Sequence, residues 1–251
     1  MKLAVIGGGS TYTPELIDGV IKRHKRLPIS HIYLVDIETT KLTTIAAFAQ
    51  RMIKAAGVDI EIEFGTDLAS GVRGASFVVS QFRVGTQAAR HRDELLGRKY
   101  NLVGQETVGV GGFAKALRTI PVALNVARTI VQEAPNAKLL NFTNPAGLIT
   151  QALIQEVPEL TTIGLCNVPW NTRVEIAEAM NVSSTQVSFD YIGLNHLSWI
   201  RGFMLTDLKR TINDCFIANL QRAIVGHKDA EVGIELSDTD YFNVAVLATD
   251  D

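Results

Sequence analysis

Short apolar runs alternate with longer amphipathic stretches over roughly the first two thirds of the chain. The short runs are rich in Val, Ile and Leu and are apolar at odd and even positions alike, as expected for strands covered by helices on both faces. The predicted strands are Leu3–Ile6, Ile32–Asp36, Ile60–Phe64, Phe77–Gln81, Lys138–Phe142 and Thr162–Cys166. Helical spacing is found at Pro14–His24, Lys41–Ala56, Ala114–Glu133 and Ala146–Val157. This alternation predicts βαβ units around a parallel sheet.

The pattern changes after about Asn195. Residues Trp199–Leu208 are strand-like and Ile212–Val225 are helix-like, but no further parallel alternation follows. We therefore predict an α/β, Rossmann-like domain with a doubly wound parallel sheet over residues 1–193. Residues 194–251 are predicted to start a second, C-terminal catalytic or substrate domain that is incomplete.

The charge balance and the cysteine content indicate what kind of partner the protein binds and in which cellular compartment it occurs. The 251 residues include 24 Lys and Arg against 26 Asp and Glu, so a broad basic surface for nucleic acid or anionic lipid is not expected. A small molecule is the expected partner. Two cysteines, Cys166 and Cys215, do not make a disulfide framework and indicate a reducing compartment. The first apolar run reaches glycine too soon for a signal peptide or membrane span, so we expect a cytoplasmic protein.

A glycine turn follows the first predicted strand. Gly7 and Gly9 fit the first two positions of the dinucleotide fingerprint, while Tyr12 stands at the third. Ser10 and Thr11 continue the turn towards a helix, where backbone N–H groups can meet a pyrophosphate. The alternative is a turn that serves only strand-to-helix packing.

The second predicted strand ends at Asp36. An acidic side chain at this position accepts hydrogen bonds from the adenosine ribose and repels a 2′-phosphate. The sequence therefore favours NAD over NADP as the cofactor.

Polar clusters follow the remaining predicted strands, at the sheet edge where ligands bind in open α/β sheets. They are 81–83 leading to Arg90, the glycine-rich 104–112, 141–145, 164–169 and 193–197. The thiol of Cys166 and the imidazole of His196 could share one metal ion that keeps an open coordination position. By spacing alone, a buried thiol and a satisfied core histidine explain the same two residues.

Taken in order, these clusters resemble glycoside hydrolase family 4. The resemblance rests on Gly7-Gly8-Gly9-Ser10-Thr11, Gly104-Gln105-Glu106-Thr107, Asn141-Phe142-Thr143-Asn144-Pro145, Cys166-Asn167-Val168-Pro169 and Asn195-His196-Leu197, and it covers roughly residues 1–201. Family 4 is the NAD-dependent exception to glycosidases that use two carboxylates. The resemblance implies a redox-assisted elimination, in which hydride leaves C3 of the sugar, a tyrosine removes the C2 proton, the aglycone departs, water adds and the hydride returns. It also implies a divalent metal, usually Mn²⁺, at the C2 and C3 oxygens.

The resemblance also assigns roles to individual residues. It implies that Cys166 and His196 are metal ligands, that Arg90 and Asn144 bind substrate, and that Glu106 raises the basicity of the catalytic tyrosine. Simpler explanations stay open, since Arg90 can form a solvated salt bridge on a charged helix, Asn144 can cap a turn before Pro145, and Glu106 can order its loop.

Asn167 bears on the substrate class. Members that act on α-linked substrates carry Asp directly after the metal-binding cysteine, whereas Asn at this position resembles members that act on 6-phospho-β-glucosides. Asn cannot act as a general acid, although it can cap or turn the chain before Pro169. The resemblance implies a catalytic tyrosine downstream of the histidine, where Tyr241 is the only tyrosine in the sequence. We therefore predict that Tyr241 is the base; the alternative is a half-buried aromatic residue in a closing helix.

Three functions are compatible with these features. The first is a 6-phospho-β-glucoside hydrolase that uses NAD and Mn²⁺, which by family habit forms a homodimer or homotetramer when the C-terminal region is present. The second is an NAD-dependent dehydrogenase of the lactate or malate type, which would leave Cys166 and His196 unexplained. The third is a non-catalytic NAD-binding remnant.

Overall fold

The structure is a computed structural model that describes residues 1–205, 232–236 and 242–246. Its residues form two compact units, Met1–Leu165 and Cys166–Asp251, which are described separately below. Two predictions, the helix over 212–225 and the base Tyr241, lie outside the described residues.

The first unit is built on a six-stranded parallel sheet. The strands are β1 (Lys2–Ile6), β2 (His31–Val35), β3 (Glu61–Gly65), β4 (Phe77–Ser80), β5 (Lys138–Asn141) and β6 (Thr162–Gly164). Their order in the sheet is β3-β2-β1-β4-β5-β6, with every pair parallel. This is the strand order of dinucleotide-binding folds, so the predicted doubly wound α/β class is confirmed.

Helices connect these strands. They are α1 (Thr13–Arg23), α2 (Thr39–Ala56), α3 (Leu68–Val72), α4 (Thr86–Lys99), α5 (Gly109–Glu133) and α6 (Ala146–Glu156). The pattern of apolar positions did not predict α3 or α4, and it placed the start of α5 at Ala114, although the helix begins inside the glycine-rich stretch. In α4 only Ala89, Asp93 and Gly97 are buried, so this helix lacks the apolar stripe that such a pattern detects.

The inner strands β1, β2, β4 and β5 contribute to two cores, one on each face of the sheet. In β1, Leu3 and Val5 belong to a core that includes Ile17 of α1 and Leu42 of α2. Ala4 and Ile6 point to the other face, into a core with residues of α5 and α6 such as Ile130 and Ile149. The alternation explains why the strands are apolar at every position, and it places the carboxyl ends of β1 and β4 side by side at the point where the strand order reverses.

The second unit begins with helix α7 (Val168–Met180), which precedes an antiparallel sheet. Its strands are β7 (Val187–Leu194), β8 (Leu197–Leu205), β9 (Val232–Leu236) and β10 (Phe242–Val246), in the order β7-β8-β10-β9. Ile176 and Ala177 of α7 pack with residues of β7 and β8 in a separate small core. The division predicted between residues 193 and 194 falls within this unit, at the end of β7.

Within the described part of the chain, no helix is long and apolar enough to cross a membrane.

Candidate functional site

The glycine turn between β1 and α1 is fastened to the end of β2. The amides of Gly7 and Gly8 both donate to the carbonyl of Val35, at 2.9 and 2.8 Å. Gly7 has a φ of +90°, and a Cβ there would lie 2.9 Å from the backbone of Gln81 and Phe82. Glycine is therefore required at position 7 by both conformation and space.

Asp36 closes the other side of this turn. Its Oδ2 accepts a hydrogen bond from the Gly9 amide at 2.9 Å, and its Oδ1 accepts one from the Glu38 amide at 3.1 Å. A Cβ on Gly9 would lie 2.9 Å from Asp36 Oδ2, so this approach depends on glycine. The two residues predicted from the fingerprint are thus in direct contact, and a carboxylate keeps lone pairs for further donors such as ribose hydroxyls.

Thr13 and Gln81 stabilise the turn through hydrogen bonds to its carbonyl groups. The buried Thr13 hydroxyl donates to the Gly8 carbonyl at 2.9 Å and accepts from Gln81 Nε2 at 2.8 Å. Gln81 Nε2 also lies 3.3 Å from the Gly7 carbonyl. Side chains at the end of β4 and the start of α1 therefore fix the shape of the turn.

The amides available to a phosphate lie in the second half of the turn. Gly7, Gly8 and Gly9 use their N–H groups internally, and Ser10 N donates to the Gly7 carbonyl. The Thr11 amide forms no hydrogen bond with any residue that the structure describes. Tyr12, which replaces the third glycine, is tilted against Phe142 with ring centroids 5.3 Å apart. The turn thus offers the Thr11 amide and the Ser10 and Thr11 hydroxyls to an anion.

Asn141 and its neighbours order the next polar cluster, after β5. The fully buried Asn141 accepts from the Ser80 hydroxyl at 2.9 Å and from the Thr143 amide at 3.2 Å. This network fixes the loop that carries Asn144, whose Oδ1 accepts from the Ala146 amide at 3.4 Å. Asn144 therefore caps the turn before α6, as the simpler explanation proposed, and a cap through Oδ1 does not preclude substrate contact through its amide nitrogen.

Three cations converge on the carboxylate of Glu106, whose side chain is 5% exposed. Arg83 Nη1 lies 2.6 Å from Oε1, and Lys115 Nζ contacts the same oxygen. Arg90 Nη1 lies 3.0 Å from Oε2, while Arg90 Nε donates to Glu94 at 2.7 Å. Arg90 does form the salt bridge along its own helix that the simpler explanation required, but it also reaches the buried Glu106. We call Arg83, Arg90, Glu106 and Lys115 the Glu106 cluster.

Lys115 is the most deeply buried cation of the Glu106 cluster, with a side chain only 2% exposed. Burial, and after it the positive charges of Arg83, Arg90 and Arg118, lower the pKa of Lys115 to about 7 against the opposing charge of Asp93. The Glu106 carboxylate also favours the ammonium form, but it is shared with two guanidinium groups, so lowering is the net direction. Asp93 is itself paired with Arg118, through two hydrogen bonds.

Arg83 and Lys115 were not predicted as site residues. A signal for Lys115 was present, because it lies on the same face of α5 as the buried Gly111, Thr119 and Ala123. A charged residue on a core-facing stripe is expected to have a buried partner. Arg83 belongs to the polar cluster 81–83 that follows β4, but nothing in the sequence indicated that its partner would be Glu106.

In the second unit, the predicted metal pair is assembled. Cys166 Sγ lies 3.5 Å from His196 Nε2. Cys166 immediately precedes α7, and His196 lies in the two-residue connection of the β7–β8 hairpin, where Leu194 pairs with Leu197. His196 has a φ of 60°, in the left-handed region that costs a residue with a side chain about 1 kcal/mol. This strained turn directs the imidazole at the thiol, in line with the tendency of backbone strain to occur at functional sites.

The surroundings of Cys166 favour its thiolate. Burial raises the pKa of the thiol, but hydrogen bonds from the His196 side chain, the Val168 backbone and the Asn195 side chain outweigh burial, so the pKa lies below its ordinary value. Asn167 stands at the N-cap position of α7 without a side-chain cap hydrogen bond, and its Oδ1 lies 4.0 Å from Cys166 Sγ. The capping explanation for Asn167 is therefore not supported, and its amide belongs to the surroundings of the thiol.

The pair fits a shared metal ion. A thiolate sulfur and an imidazole nitrogen are both metal ligands, and Cys166 Sγ lies 3.5 Å from His196 Nε2, close enough for one ion to contact both. Over the described ranges, no group of three or more His, Cys, Asp or Glu could hold a metal.

Comparison with known proteins agrees with this geometry. A model of the Family 4 glycosyl hydrolases matches residues 2–182. The chain is 46% identical over 199 residues to the "Probable 6-phospho-beta-glucosidase" of Bacillus subtilis (strain 168), a match that covers 78% of this chain and 45% of that protein. It is 40% identical over 213 residues to the 6-phospho-beta-glucosidase of Escherichia coli (strain K12), covering 84% of this chain and 47% of that protein.

A solved structure is similar over the same region. The 6-phospho-beta glucosidase from Thermotoga maritima, determined with manganese, NAD+ and glucose-6-phosphate, superposes with a TM-score of 0.77 at 38% identity, covering 84% of this chain and 51% of that one. The chain thus spans about half the length of the relatives it matches.

Proposed function

Because the chain belongs to glycosyl hydrolase family 4, we propose that it hydrolyses 6-phospho-β-glucosides with NAD and a divalent metal, Mn²⁺ in the first instance. The observation that carries the proposal is the approach of Cys166 Sγ to His196 Nε2, at 3.5 Å. A dehydrogenase of the lactate or malate type has no use for this pair. A non-catalytic remnant would not need the strained φ of 60° at His196.

The cofactor-binding residues in this proposal are Gly7, Gly9, Ser10, Thr11 and Asp36. Gly7 and Gly9 let the backbone turn tightly, and Ser10 and Thr11 offer hydroxyls and the Thr11 amide to the pyrophosphate. Asp36, already anchored by the Gly9 amide at 2.9 Å, accepts from ribose hydroxyls and repels a 2′-phosphate. NAD is therefore preferred over NADP.

Cys166 and His196 would hold the metal, with the thiolate and the neutral imidazole as ligands. When bound, NAD supplies reversible hydride transfer at C3 and the metal supplies Lewis acidity at the C2 and C3 oxygens, which acidifies the C2 proton. The hydrogen bonds that lower the pKa of the Cys166 thiol shift it towards the ligating thiolate form.

Arg90, Asn144 and Asn167 are proposed to bind the substrate, with Asn167 beside the metal ligands. Arg90 is held by Glu94 and Glu106 in a fixed orientation, which lowers the entropy cost of binding an anion. Asn167 provides no acid, which suits a β-linked substrate whose leaving group does not depend on a proton from this position. Tyr241 as the base that removes the C2 proton, with Glu106 supporting it, remains a prediction from the resemblance.

Phosphorylated glucosides are charged products of uptake and stay inside the cell, which supports a cytoplasmic location. A homodimer or homotetramer remains the oligomeric state expected from the family.

The test is release of nitrophenol from p-nitrophenyl 6-phospho-β-glucoside in reducing buffer with NAD and Mn²⁺. We expect release to require the phosphate, the β linkage, NAD and Mn²⁺, and to be lost in Cys166→Ser. The α-linked compound and the unphosphorylated β-glucoside are the matched controls. Release that persists without NAD, or in Cys166→Ser, would refute the proposal.

A further inference from the structure

The Glu106 cluster brings two guanidinium groups onto one buried carboxylate. Arg83 reaches Oε1 at 2.6 Å and Arg90 reaches Oε2 at 3.0 Å, so the two groups sit on opposite oxygens of the same side chain. The Arg83 and Arg90 side chains remain 31% and 26% exposed, whereas Glu106 is 5% exposed. The carboxylate is thus the inner member of the cluster, and the arginines keep an accessible side.

The arginines have donors left for a ligand. A guanidinium carries five N–H donors in a planar fork. Among the described residues, Arg83 contacts a partner through Nη1 alone, and that partner is Glu106. Arg90 contacts Glu94 through Nε and Glu106 through Nη1. With Lys115 protonated, three positive charges face the two carboxylates of Glu94 and Glu106, which leaves a net positive charge for an anion.

We infer that Arg83 joins Arg90 in a two-arginine clamp for a phosphate monoester, and that Lys115 is a positioning residue that acts through Glu106. The inference deepens the proposed function and rests on it for the identity of the anion as the substrate's sugar phosphate. Paired guanidinium groups suit this ligand because each can donate two parallel hydrogen bonds to phosphate oxygens.

Lys115 fixes the clamp from the protein interior. Its ammonium, 2% exposed, contacts the same Glu106 oxygen as Arg83, so it restricts rotation of the carboxylate that orients both arginines. Without that contact, Glu106 keeps only the two arginines as partners, and their spacing is no longer determined by the core. Lys115 does not reach the ligand itself and therefore differs in role from Arg83.

Two phosphate sources are compatible with this chemistry, the sugar phosphate and the cofactor pyrophosphate. Gln81, two residues before Arg83, hydrogen-bonds Thr13 and the Gly7 carbonyl of the nucleotide turn, so the source must be tested directly. We assign the clamp to the sugar phosphate because Arg83 shares its carboxylate with Arg90, and the nucleotide turn has donors of its own in Ser10 and Thr11.

The experiment measures binding, not turnover, on the full 251-residue chain. Calorimetric titrations with glucose 6-phosphate and with NAD are compared for the unsubstituted protein, Arg83→Gln, Lys115→Met and Lys115→Arg. Arg73→Gln is the matched control, because Arg73 is paired with Glu133 on an exposed surface of the same unit. Circular dichroism verifies that each variant is folded.

We expect Arg83→Gln to weaken glucose 6-phosphate binding by about tenfold or more, the loss typical of a charge-assisted hydrogen bond, and to leave NAD binding unchanged. Lys115→Met should weaken glucose 6-phosphate binding by a similar factor. Lys115→Arg should recover most of that affinity because it restores a positive charge beside Glu106. If Lys115 only filled space in the core, the charge would not matter. Arg73→Gln should bind both ligands normally.

Absence of glucose 6-phosphate binding in the unsubstituted chain, or equal binding in Arg83→Gln, would overturn the clamp. A variant Arg83→Gln that loses affinity for NAD but not for glucose 6-phosphate would also overturn it. Should Lys115→Met not fold, Lys115→Arg and Arg83→Gln still decide the matter. Arginine-dependent binding of glucose 6-phosphate without nitrophenol release would retain the clamp and refute the proposed hydrolysis, so the two failures are separable.

Discussion

Cys166 Sγ and His196 Nε2 lie 3.5 Å apart, although thirty residues separate them in the sequence. Cys166, two residues before α7, and the hairpin turn at His196 belong to the same compact unit, whose small core packs α7 against β7 and β8. The fold of this unit therefore brings the two side chains together.

Mn²⁺ binding should depend on this pair. We expect Cys166→Ser and His196→Ala each to weaken Mn²⁺ affinity at least about tenfold, since loss of even an outer-shell partner has effects of that size. Electron paramagnetic resonance of free Mn²⁺ during titration measures the affinity directly. His91→Ala, which removes an exposed histidine from α4, is the control. Unchanged affinity in both site variants would remove the metal assignment.

Asp36 should select the cofactor. In Asp36→Asn, one acceptor oxygen is replaced by a donor that faces the Gly9 or Glu38 amide. We expect NAD affinity to fall about tenfold and the preference for NAD over NADP to shrink, because the negative charge is also lost. Isothermal titration with both dinucleotides measures this, with the exposed Asp59→Asn as control. A variant that binds NAD as tightly as before and still rejects NADP would contradict the assignment.

Gly7 should be intolerant of a side chain for two separable reasons. Gly57 shares its positive φ, at +64°, but a Cβ added there would have nothing within 4 Å, whereas at Gly7 a Cβ meets the Gln81 backbone at 2.9 Å. Gly57→Ala should therefore lower the free energy of unfolding by about 1 kcal/mol, from backbone strain alone. Gly7→Ala should cost a further 1–3 kcal/mol or so, because the clash involves backbone that cannot rotate away. Urea denaturation checks both, and equal losses would show that the close approach is unimportant.

Lys115 should make stability depend on pH. Its pKa is about 7 in the folded protein and near the ordinary lysine value of 10.5 when unfolded. Between these values the unfolded chain binds more protons, so the free energy of unfolding rises as pH increases from about 7 towards 10.5, and the contribution is constant below that window. The groups that face Lys115 are Glu106 from the loop, Arg83, Arg90 and Asp93 from the β4–α4 region, and Arg118 from α5.

The measurement is urea denaturation at several pH values for the unsubstituted chain and Lys115→Met. Other groups titrate in the same range, so the difference between the two proteins isolates Lys115. We expect the free energy of unfolding of the unsubstituted chain to increase relative to that of Lys115→Met as the pH rises. A difference that does not change with pH would show that Lys115 keeps its proton throughout.

The strands of the parallel sheet and the nucleotide turn were predictable because they depend on local pattern. Strands buried on both faces are apolar at every position, as Leu3 to Ile6 illustrate, and a turn that must approach backbone closely needs glycine, as at Gly7. Helix α4 was missed because its buried positions include Asp93 and Gly97, which no apolar periodicity marks. The start of α5 was missed for a related reason, since Gly111 and Gly112 are buried in a helix although glycine is a poor helix former.

The amino-acid order was sufficient to predict the fold class, the cofactor turn with Asp36, and Cys166 and His196 as a candidate metal pair, because each rests on residue type at a recognisable position. The folded chain was needed to show that this pair lies within 3.5 Å, and that Glu106 is enclosed by Arg83, Arg90 and Lys115. The physical reason is that burial and the choice of an ion-pair partner depend on which surfaces the packed elements bring together. Charge and hydrophobicity along a chain indicate which side chains need partners, whereas the packing of α4 and of residues 104–108 against α5 determines which partners they obtain.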